Sequence, residues 1–512
     1  MTTRVRYAPK SNHTHAKSGT HANAEAGIFV KNKRRPIKNL KDGRNNKGPE
    51  ASERSPLGPI FIIFLVFYCF RLLQGGVRFA ELGAIRLELI LGLIAAIPAL
   101  LILVTDRAAR LPWCFWFGAA LAALMLLMVP FSVAPTLSWK AFSEHAFKDM
   151  LIGISITTLV SSVRRLKWFL GAHLFAYAKM AQEGVLGVIT GGLIWENQGT
   201  PRLHGSTPNY EHPNSFGGTQ AGTVPFVSGL LGLRLVRILR LALLAQLIAA
   251  LVVIVYTGSR STYVGFSAWI LVIAWQSERK FRATLVVAFL ALGASLIVPH
   301  AYVERFQQIF TQKDKEGGSI EERKRITTDA MTIFIENPFG IGTGAFPAAR
   351  AERFGRTQDT HNLYLEVATN LGVQGLLIFI LMIWSIYWEL NRLRTEQTRA
   401  IKELSKSPIV NETLLGEYRF TGAVTSGLMS FLLIRLVLGF LGHDLYEIYW
   451  WFCIGLTCSL SRITRDLNAQ AQELPTQWSR KDTHLLIDEP TGRRGEAHGH
   501  LHVYRNTYPS SK

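Results

Sequence analysis

Cysteine is scarce in this sequence, and the positions of the cysteines argue against disulfides and metal sites. Only 4 of the 512 residues are cysteine, and all of them lie within apolar runs: Cys69, Cys114, Cys453 and Cys458. Since none stands in a polar connecting segment, no disulfide framework is expected to hold the loops. The Cys and His spacings typical of zinc are also missing, and we expect neither metal ligands nor a cofactor.

Acidic motifs are equally sparse. The chain has 36 Asp and Glu against 56 Lys and Arg, a formal net charge of +20. It shows no Asp-x-Asp pair for a metal-bound sugar nucleotide, no acidic cluster suited to a metal-dependent prenyl-phosphate enzyme and no Ser-His-Asp arrangement. No nucleic-acid partner is expected. These absences leave a reaction with a good leaving group, which needs a base and cations that bind phosphate.

A glycine-rich stretch, GIGTGAF (340–346), resembles a nucleotide-binding loop. No predicted strand precedes it and no Walker lysine follows it, although a phosphate-binding loop requires that context. We therefore interpret the stretch as a tight, close-packed turn that returns the chain to the membrane.

Long apolar runs dominate what the sequence does contain. Hydrophobic residues make up 48% of the chain, and the runs approach the ~20 residues that span a bilayer as a helix. We predict an all-α polytopic membrane protein with about twelve transmembrane helices, surrounded by membrane lipids. A soluble protein with twelve buried helices is disfavoured, because the runs are apolar on all sides. The predicted spans are 57–74, 83–104, 113–133, 147–163, 167–190, 214–233, 239–257, 260–276, 282–299, 365–388, 420–442 and 446–462.

Basic clusters between the runs predict the orientation. With twelve spans, the clusters all fall on the side of the basic amino terminus, and the positive-inside rule makes that side cytoplasmic for both termini. The connections 191–213 and 300–364 then lie on the opposite, outer side. The clusters are DRAAR (106–110), VRRLK (163–167), LRLVRILR (233–240), SERKFR (277–282) and NRLRTEQTR (391–399).

Composition divides the chain into three parts. Residues 1–55 hold thirteen Lys or Arg against four Asp or Glu and few large apolar residues, which is typical of a disordered basic tail. Residues 56–464 form the predicted membrane domain, which includes the large, partly helical outer loop 300–364. Residues 465–512 are polar and are predicted to be a second disordered cytoplasmic tail.

The large outer loop contains a predicted helix. Ser319 and Glu322 have the spacing of a capping box, and Ile326, Ala330 and Ile333 recur at helical intervals as one apolar stripe. The stripe fits a helix lying on the membrane surface or a helix packed on its own loop, and the pattern does not separate the two.

A histidine stands where this loop meets the tenth predicted span, in DTHNLYLEV (359–367). Asp359 or Thr360 can cap the helix, which places His361 in its first turn. The positive end of the helix dipole disfavours a protonated imidazole there. A neutral histidine is what a general base needs, and Asn362 adds an amide that can orient a substrate.

Arginines occur at two other outer positions. Arg202 and Asn214 lie in TPRLHGSTPNYEHPNSF (200–216), and Arg260 lies in TGSRS (257–261) at a predicted helix start. Guanidinium groups suit bidentate binding of phosphate. Together with His361, these residues predict a site for an anionic substrate at the lipid boundary.

Charged residues also occur inside predicted spans, where they are costly and therefore point to function or to pairing. Lys179 and Glu183 are four residues apart on the fifth span and are predicted to form an ion pair. Arg435 lies well within the eleventh span, and its role stays open between structure and substrate binding.

The sequence resembles the superfamily of O-antigen ligases and polymerases, which are bacterial envelope glycosyltransferases. The resemblance is clearest from Arg323 to Phe379, where Arg, Ala and Ile at helical spacing precede NPFGIGTGAF and HNLYLEVATNLGVQGLLIF. TGSRS and RLHGSTPNYEHPNSF match two upstream motifs in order. With the topology, the resemblance covers most of residues 57–462.

The resemblance implies a site and a reaction. A glycan carried on undecaprenyl pyrophosphate is transferred at the periplasmic face of the inner membrane to an acceptor hydroxyl, with inversion and without a metal. His361 matches the histidine thought to act as base, and Arg202 and Arg260 match arginines thought to bind the pyrophosphate. Asn214 and Asn362 match motif asparagines. Arg323, where the matched stretch begins, and Arg435 are further candidates for substrate binding.

Several acceptors fit this resemblance. Ligation to lipid A-core is the leading reaction, and polymerisation of glycan repeats or transfer to protein are the alternatives within the class. A small-anion transporter is the alternative from another class, but it should place its polar residues near the bilayer midplane, often in paired repeats. A purely structural membrane protein is the remaining possibility, and the outer histidine and arginines argue against it.

Overall fold

The computed structural model describes residues 57–106, 110–197, 200–277, 298–311, 319–406 and 411–485, together with isolated residues between 279 and 293. The predicted basic tail 1–55, most of the ninth predicted span (282–299) and the chain after 485 lie outside the described residues.

Helices form most of the described structure. The helices in the first half are α1 (Pro59–Leu72), α2 (Gly75–Arg78), α3 (Ala80–Ala84), α4 (Leu87–Thr105), α5 (Trp113–Leu127), α6 (Pro135–Ala141), a π-helical turn (Phe142–Ala146), α7 (Phe147–Leu159) and α8 (Val163–Thr190). A hairpin of β1 (Ile194–Asn197) and β2 (Thr200–Leu203) and a 3₁₀ turn (Pro208–Tyr210) follow. The remaining helices are α9 (Pro213–Leu231), α10 (Arg237–Tyr256), α11 (Arg260–Gln276), α12 (His300–Thr311), α13 (Ser319–Glu336), α14 (Phe346–Phe354), α15 (Leu363–Leu404), α16 (Glu412–Gly439) and α17 (Tyr449–Leu485).

The hairpin corrects the predicted all-α class to a mostly helical fold. Strands β1 and β2 pair antiparallel, with Ile194 opposite Leu203 and Trp195 opposite Arg202. The segment lies in a connection that the apolar pattern marked only as polar, so the pattern held no signal for a strand pair. Its consequence is local but important, because the hairpin fixes the backbone that carries Arg202.

Four described helices, α4, α10, α15 and α16, are long and apolar enough to cross a membrane. Eleven of the twelve predicted spans coincide with a helix, but helices such as α7 and α11 are shorter, with 13 and 17 residues. The number of twelve spans therefore stays a prediction. Large apolar side chains on α4 face outward, for example Leu101 and Val104 with 60% and 80% of their surface exposed. Such exposure is typical of a lipid-facing helix.

The core is built around α17, which is buried over most of its first four turns. Helix α17 packs on α7, α15 and α16, and Gly153 lets the backbone of α7 approach Trp451 closely. Phe452 contacts Phe431 and Phe226 with ring centroids 5.4 and 6.1 Å apart. The helix continues to Leu485, past the predicted domain boundary at 464.

The glycine-rich stretch is a close-packed turn, as predicted. It docks against a break in α15 at Gly372, where φ is 71°: the amides of Ile341 and Gly342 donate to the carbonyls of Thr369 and Asn370 at 3.0 Å. A Cβ at Gly340, whose φ is +91°, would lie 2.7 Å from the carbonyl oxygen of Asn370. The turn therefore needs glycine for both its backbone conformation and its contact distance.

The apolar stripe of α13 packs on its own loop. Ala330 and Ile333 form a small buried cluster with Ile341, Ala345 and Phe346. Of the two surroundings that the sequence allowed for this stripe, the loop and the membrane surface, the structure shows the loop.

Candidate functional site

Arg202 enters the site from strand β2. Its Nε donates to the carbonyl oxygen of Thr257 at 3.0 Å, and its Nη2 donates to Oδ1 of Asn214 at 2.7 Å. Only 5% of Arg202 is exposed. The hairpin, the turn before α11 and the start of α9 therefore share one guanidinium group, so two of the predicted site residues, Arg202 and Asn214, are in contact.

Arg260 lies at the start of α11, as predicted. Ser259 caps the helix, since its hydroxyl accepts a hydrogen bond from the amide of Thr262 at 3.2 Å. This cap satisfies one amide of the first turn, and it places Arg260 directly after the turn that holds Arg202.

Positive charge accumulates around Arg202. Burial, together with the charges of Arg305, Arg260 and Arg323, lowers the pKa of Arg202 to about 10. The guanidinium stays protonated at neutral pH, but like charges nearby disfavour the charged form. An anion bound here relieves both the repulsion and part of the desolvation.

His361 does not lie in the first turn of α15, contrary to the prediction. Asn362 caps that helix: its Oδ1 accepts hydrogen bonds from the amides of Tyr364 and Leu365 at 3.0 and 3.1 Å. His361 precedes the cap in a left-handed conformation, with φ of 49°. Left-handed backbone is rare for a residue other than glycine and concentrates at functional sites.

The uncharged state predicted for His361 holds, but its cause differs. Burial, together with His443 and Arg323, lowers the pKa of His361 to about 4, while Asp359 opposes this lowering. The rings of His361 and His443 meet edge to face, with centroids 5.0 Å apart. The helix dipole is therefore not needed to explain a neutral imidazole.

His212 joins the site from the loop before α9. Its Nδ1 accepts a hydrogen bond from the amide of Asn214 at 3.1 Å, which requires that this nitrogen carry no proton. Burial, together with the charges of Arg202, His443 and Arg323, lowers the pKa of His212 to about 4.

These residues form one group, which we name the arginine–histidine cluster. Its members come from separate segments of the chain, and their charges act on the pKa values of Arg202, His212 and His361. They are Arg202, His212, Arg260, Arg305, Arg323, His361 and His443.

Asn362 has a structural task in this arrangement. Besides capping α15, its Nδ2 donates to the carbonyl oxygen of Phe440 at 3.3 Å. It thus ties the His361 segment to the loop that carries His443. Its predicted contact with substrate stays a prediction.

A buried ion network connects α13, α14 and the segment before His361. Arg350 is fully buried; its Nε donates to Asp329 at 2.9 Å, its Nη2 to Glu322 at 3.2 Å and its Nη1 to Oε1 of Gln358 at 2.7 Å. Glu322 is the neighbour of Arg323, and Gln358 lies three residues before His361. Arg350 therefore positions both cluster residues at once.

The two predicted intramembrane features have different surroundings. Lys179 and Glu183 form the predicted ion pair at 2.7 Å, and Glu183 also accepts bidentate hydrogen bonds from Arg78.

Arg435 donates to the carbonyl oxygen of Gly218 at 3.2 Å, and its guanidinium carbon lies 3.3 Å from the centroid of the Tyr449 ring. These contacts place Arg435 within the packing of α9, α16 and α17, and its predicted binding of substrate stays a prediction.

Three cluster residues carried no distinct signal in the sequence. Arg305 is one basic residue in a polar stretch, His443 stands in a short connection, and His212 is one of several polar residues in its loop. Each acquires its position through tertiary contacts. The HPN segment around His212 was the one available hint, because a polar residue before Pro commonly starts a helix.

The cluster is suited to binding an anion beside an uncharged base. Arginine supplies fixed donors for phosphate oxygens, and a neutral imidazole can accept a proton. Within the described segments, no group of three or more His, Cys, Asp or Glu side chains is placed to hold a metal ion.

Comparison with known proteins points to the same region. Residues 245–380 match the family model Wzy_C, described as O-Antigen ligase, which confirms the resemblance to the O-antigen ligase superfamily. The match supports a glycosyltransferase of the ligase and polymerase family and, with the apolar helices, a bacterial membrane protein. A search of the curated proteins found no significant match. The matched segment contains Arg260, Arg305, Arg323 and His361.

The ion network gives a stability prediction. Replacing Arg350 by Met leaves Asp329, whose side chain is 7% exposed, without its closest cation. Leaving a buried charge without any partner costs about 3–5 kcal/mol, and because Asp329 keeps Arg356 at 3.0 Å, we expect a loss below that range. We expect a lower thermal unfolding midpoint in detergent and faster proteolysis after 311, because α13 and α14 lose their common anchor.

Arg353→Met is the matched control in the same helix. Arg353 pairs with Glu336 at 2.8 Å, but its side chain is 59% exposed, and such a pair contributes about 0–1 kcal/mol. Equal effects of the two substitutions would show that the buried network does not hold the loop.

Proposed function

We propose that the protein is a glycosyltransferase that moves a glycan from undecaprenyl pyrophosphate to an acceptor hydroxyl at the periplasmic face of the bacterial inner membrane. Lipid A-core is the favoured acceptor. The observation that carries this proposal is the arginine–histidine cluster, in which Arg305, Arg260 and Arg323 act on Arg202 and Arg323 also acts on His361. The match of residues 245–380 to the O-antigen ligase family supports it.

The proposed reaction is an inverting displacement without a metal. The acceptor oxygen forms a bond to the anomeric carbon while the bond from that carbon to the pyrophosphate oxygen breaks. The acceptor proton passes to His361, and the electron pair leaves with the pyrophosphate. Arg202 and Arg260 stabilise the negative charge that develops on the leaving group.

One cavity in the described part of the chain suits the lipid part of such a donor. It has a volume of about 670 Å³ and lies between α11, α15 and α16. Its lining is mainly apolar and aromatic, with Phe379, Trp384 and Leu433 among the residues, and it includes Tyr364, three residues after His361. We propose that the polyprenyl chain lies in this cavity while the pyrophosphate faces the arginines.

Polymerisation of glycan repeats and transfer to protein remain the alternative reactions. They use the same donor and differ in the acceptor, for which the described residues offer no distinguishing contact. Assays with purified protein and each acceptor separate them.

The central test uses purified protein, lipid-linked glycan and candidate acceptors, with and without a metal chelator. His361→Ala should lower the transfer rate by about a hundredfold or more, because a positioned base contributes about 10²–10⁴-fold. Arg260→Ala should have a comparable effect. Arg260→Lys should recover only part of the rate, since lysine keeps the charge but loses the two parallel donors.

Two exposed residues provide matched controls. His300 has 84% of its side chain exposed and pairs with Glu304, and Arg353 is also exposed. His300→Ala and Arg353→Ala should transfer glycan at the rate of the unaltered protein. Unchanged transfer by His361→Ala, in protein that inserts normally, would remove His361 as the base.

The pKa of His361 predicts the pH dependence. A pKa lowered to about 4 keeps the imidazole unprotonated above that pH, so kcat/KM should stay level from neutral pH down to about pH 5 and fall below it. An ordinary histidine would lose activity about two pH units higher. An acid limb in kcat/KM near pH 6.5 would contradict the burial of His361 in the free enzyme.

The cavity predicts a dependence on the length of the lipid. Ser426→Trp places an indole in the cavity lining and should raise KM about tenfold for an undecaprenyl donor, a loss of roughly 1.4 kcal/mol of binding. It should have little effect on a donor with a short prenyl chain. Val104→Trp, on the exposed face of α4, is the control. A loss of the same size for both donors would place the chain elsewhere.

A further inference from the structure

The cavity between α11, α15 and α16 is lined differently at its two ends. One end includes Tyr364, near the start of α15, and the other end includes Gln276, Tyr387 and Arg394. We name these last three residues the far end of the cavity. Tyr364 and Arg394 are separated by about 45 Å of helix at 1.5 Å per residue, which exceeds the ~30 Å of a hydrocarbon core. The lining therefore extends from one membrane face toward the other.

The side chains at the far end are free to bind a ligand. Throughout the part of the chain that the structure describes, Gln276, Tyr387 and Arg394 have no side-chain hydrogen bond or ion pair. Arg392, two positions before Arg394, differs in this respect, because it pairs with two glutamates of its own helix. The far end thus presents one arginine whose donors no described residue uses.

The helix that carries Arg394 does not offset its charge. Residues three and four positions apart on a helix are neighbours, and the four such neighbours of Arg394 are all uncharged. They are Leu390, Asn391, Gln397 and Thr398. The far end therefore gains a positive charge from α15.

Aromatic residues mark the depth of the far end as a membrane interface. Trp384, Tyr387 and Trp388 on α15 and Trp275 near the end of α11 are all exposed. Trp and Tyr concentrate where the hydrocarbon core meets the lipid headgroups. The far end therefore lies at the depth where phospholipid phosphates occur.

Further positive charge follows the end of α11. Nζ of Lys280 lies 4.8 Å from the centroid of the Trp275 ring, and the backbone amide of Arg279 donates to the hydroxyl of Ser277 at 3.3 Å. Arg279 and Lys280 are exposed and follow Gln276 within four positions. Basic residues next to a membrane attract anionic lipids, so this surface favours an anionic headgroup.

A ligand of this cavity has to match a polar end and an apolar wall. A guanidinium group provides forked donors for phosphate oxygens, and apolar lining residues such as Phe379 and Ile383 favour a hydrocarbon chain. A free phosphate would contact the polar end only, whereas a phospholipid would contact both parts. The positive charge favours a headgroup with net negative charge over a zwitterionic one.

We propose that the far end of the cavity binds an anionic phospholipid from the leaflet opposite the arginine–histidine cluster. Gln276 and Arg394 donate to its phosphate oxygens, and one acyl chain enters the apolar part of the cavity. The inference does not rest on the proposed function, because it requires only that α15 cross the membrane, for which this helix is long and apolar enough. The polyprenyl chain proposed above enters at the end near Tyr364, so each lipid comes from its own leaflet.

The test measures lipid binding to the full chain in detergent by native mass spectrometry. The probes are phosphatidylglycerol, which is anionic, and phosphatidylcholine with the same acyl chains. The unaltered protein should bind phosphatidylglycerol about tenfold more tightly, and Arg394→Gln should weaken this binding about tenfold or more, because charge-assisted hydrogen bonds are lost. Equal affinity of the unaltered protein for both lipids would overturn the proposal.

Arg399→Gln is the matched control on the same helix. Arg399 is exposed like Arg394 but does not line the cavity, so this variant should keep the affinity of the unaltered protein for phosphatidylglycerol. Equal losses in the two variants would show a diffuse attraction to surface charge and overturn the proposal. Arg394 makes no contact that folding needs, so both variants should unfold at the temperature of the unaltered protein.

Two further measurements distinguish a lipid in the cavity from other anions and other places. A large excess of inorganic phosphate should not displace phosphatidylglycerol, and displacement would indicate a site for free phosphate instead. Ser426→Trp narrows the cavity and should weaken binding of phosphatidylglycerol although Arg394 is intact. Unchanged binding by this variant would place the lipid outside the cavity and overturn the proposal.

Discussion

The concentration of positive charge around the turn at Thr257 and Gly258 is the constraint on which the rest of the site depends. Guanidinium groups repel one another most strongly where water is excluded, so each must be held by the surrounding structure. Two backbone carbonyls accept hydrogen bonds from Arg202 and Arg305. The side-chain oxygen of Asn214 accepts a second hydrogen bond from Arg202. The arginines need hydrogen-bond partners from several elements. For this reason four elements meet at this turn: the hairpin, α9, α11 and α12. In the proposed function, an anionic ligand would bind among these guanidinium groups.

The buried ion network around Arg350 positions the segment that carries His361. The network of Arg350, Arg356, Asp329 and Glu322 balances two positive and two negative charges around the buried Arg350, and it anchors the helix of Arg323 and the segment that leads to His361. The left-handed backbone of His361 carries strain, which the network on one side and the Asn362 cap on the other side can sustain. In the proposed mechanism, the positively charged arginine–histidine cluster attracts the substrate, and the balanced network holds the segment that carries the base.

The sequence predicted features that local chemistry determines. Apolar length located the helices, Ser259 before Arg260 marked a helix start, and the absence of a Walker lysine identified the glycine stretch as a turn. The sequence did not predict features that depend on contacts between distant parts of the chain. The cap of α15 shifted from Asp359 or Thr360 to Asn362, because Thr360 is buried and bonded to the carbonyl of Asn362. The hairpin at Arg202 and the approach of Arg305 and His443 involve residues distant in sequence. No periodic pattern records such approaches, and for that reason the convergence was predictable only through the family resemblance.

The position of an uncharged imidazole among arginines couples binding to chemistry. Burial, together with the charges of His443 and Arg323, lowers the pKa of His361 to about 4, so in the free protein His361 is available but weakly basic. A bound diphosphate places negative charge among these arginines and favours the imidazolium. The base is therefore strengthened when the leaving group is in place, and proton transfer from the acceptor becomes more favourable at that moment. In the proposed displacement, Arg202 and Arg260 would contact the leaving group, and Arg323 would act on the basicity of His361.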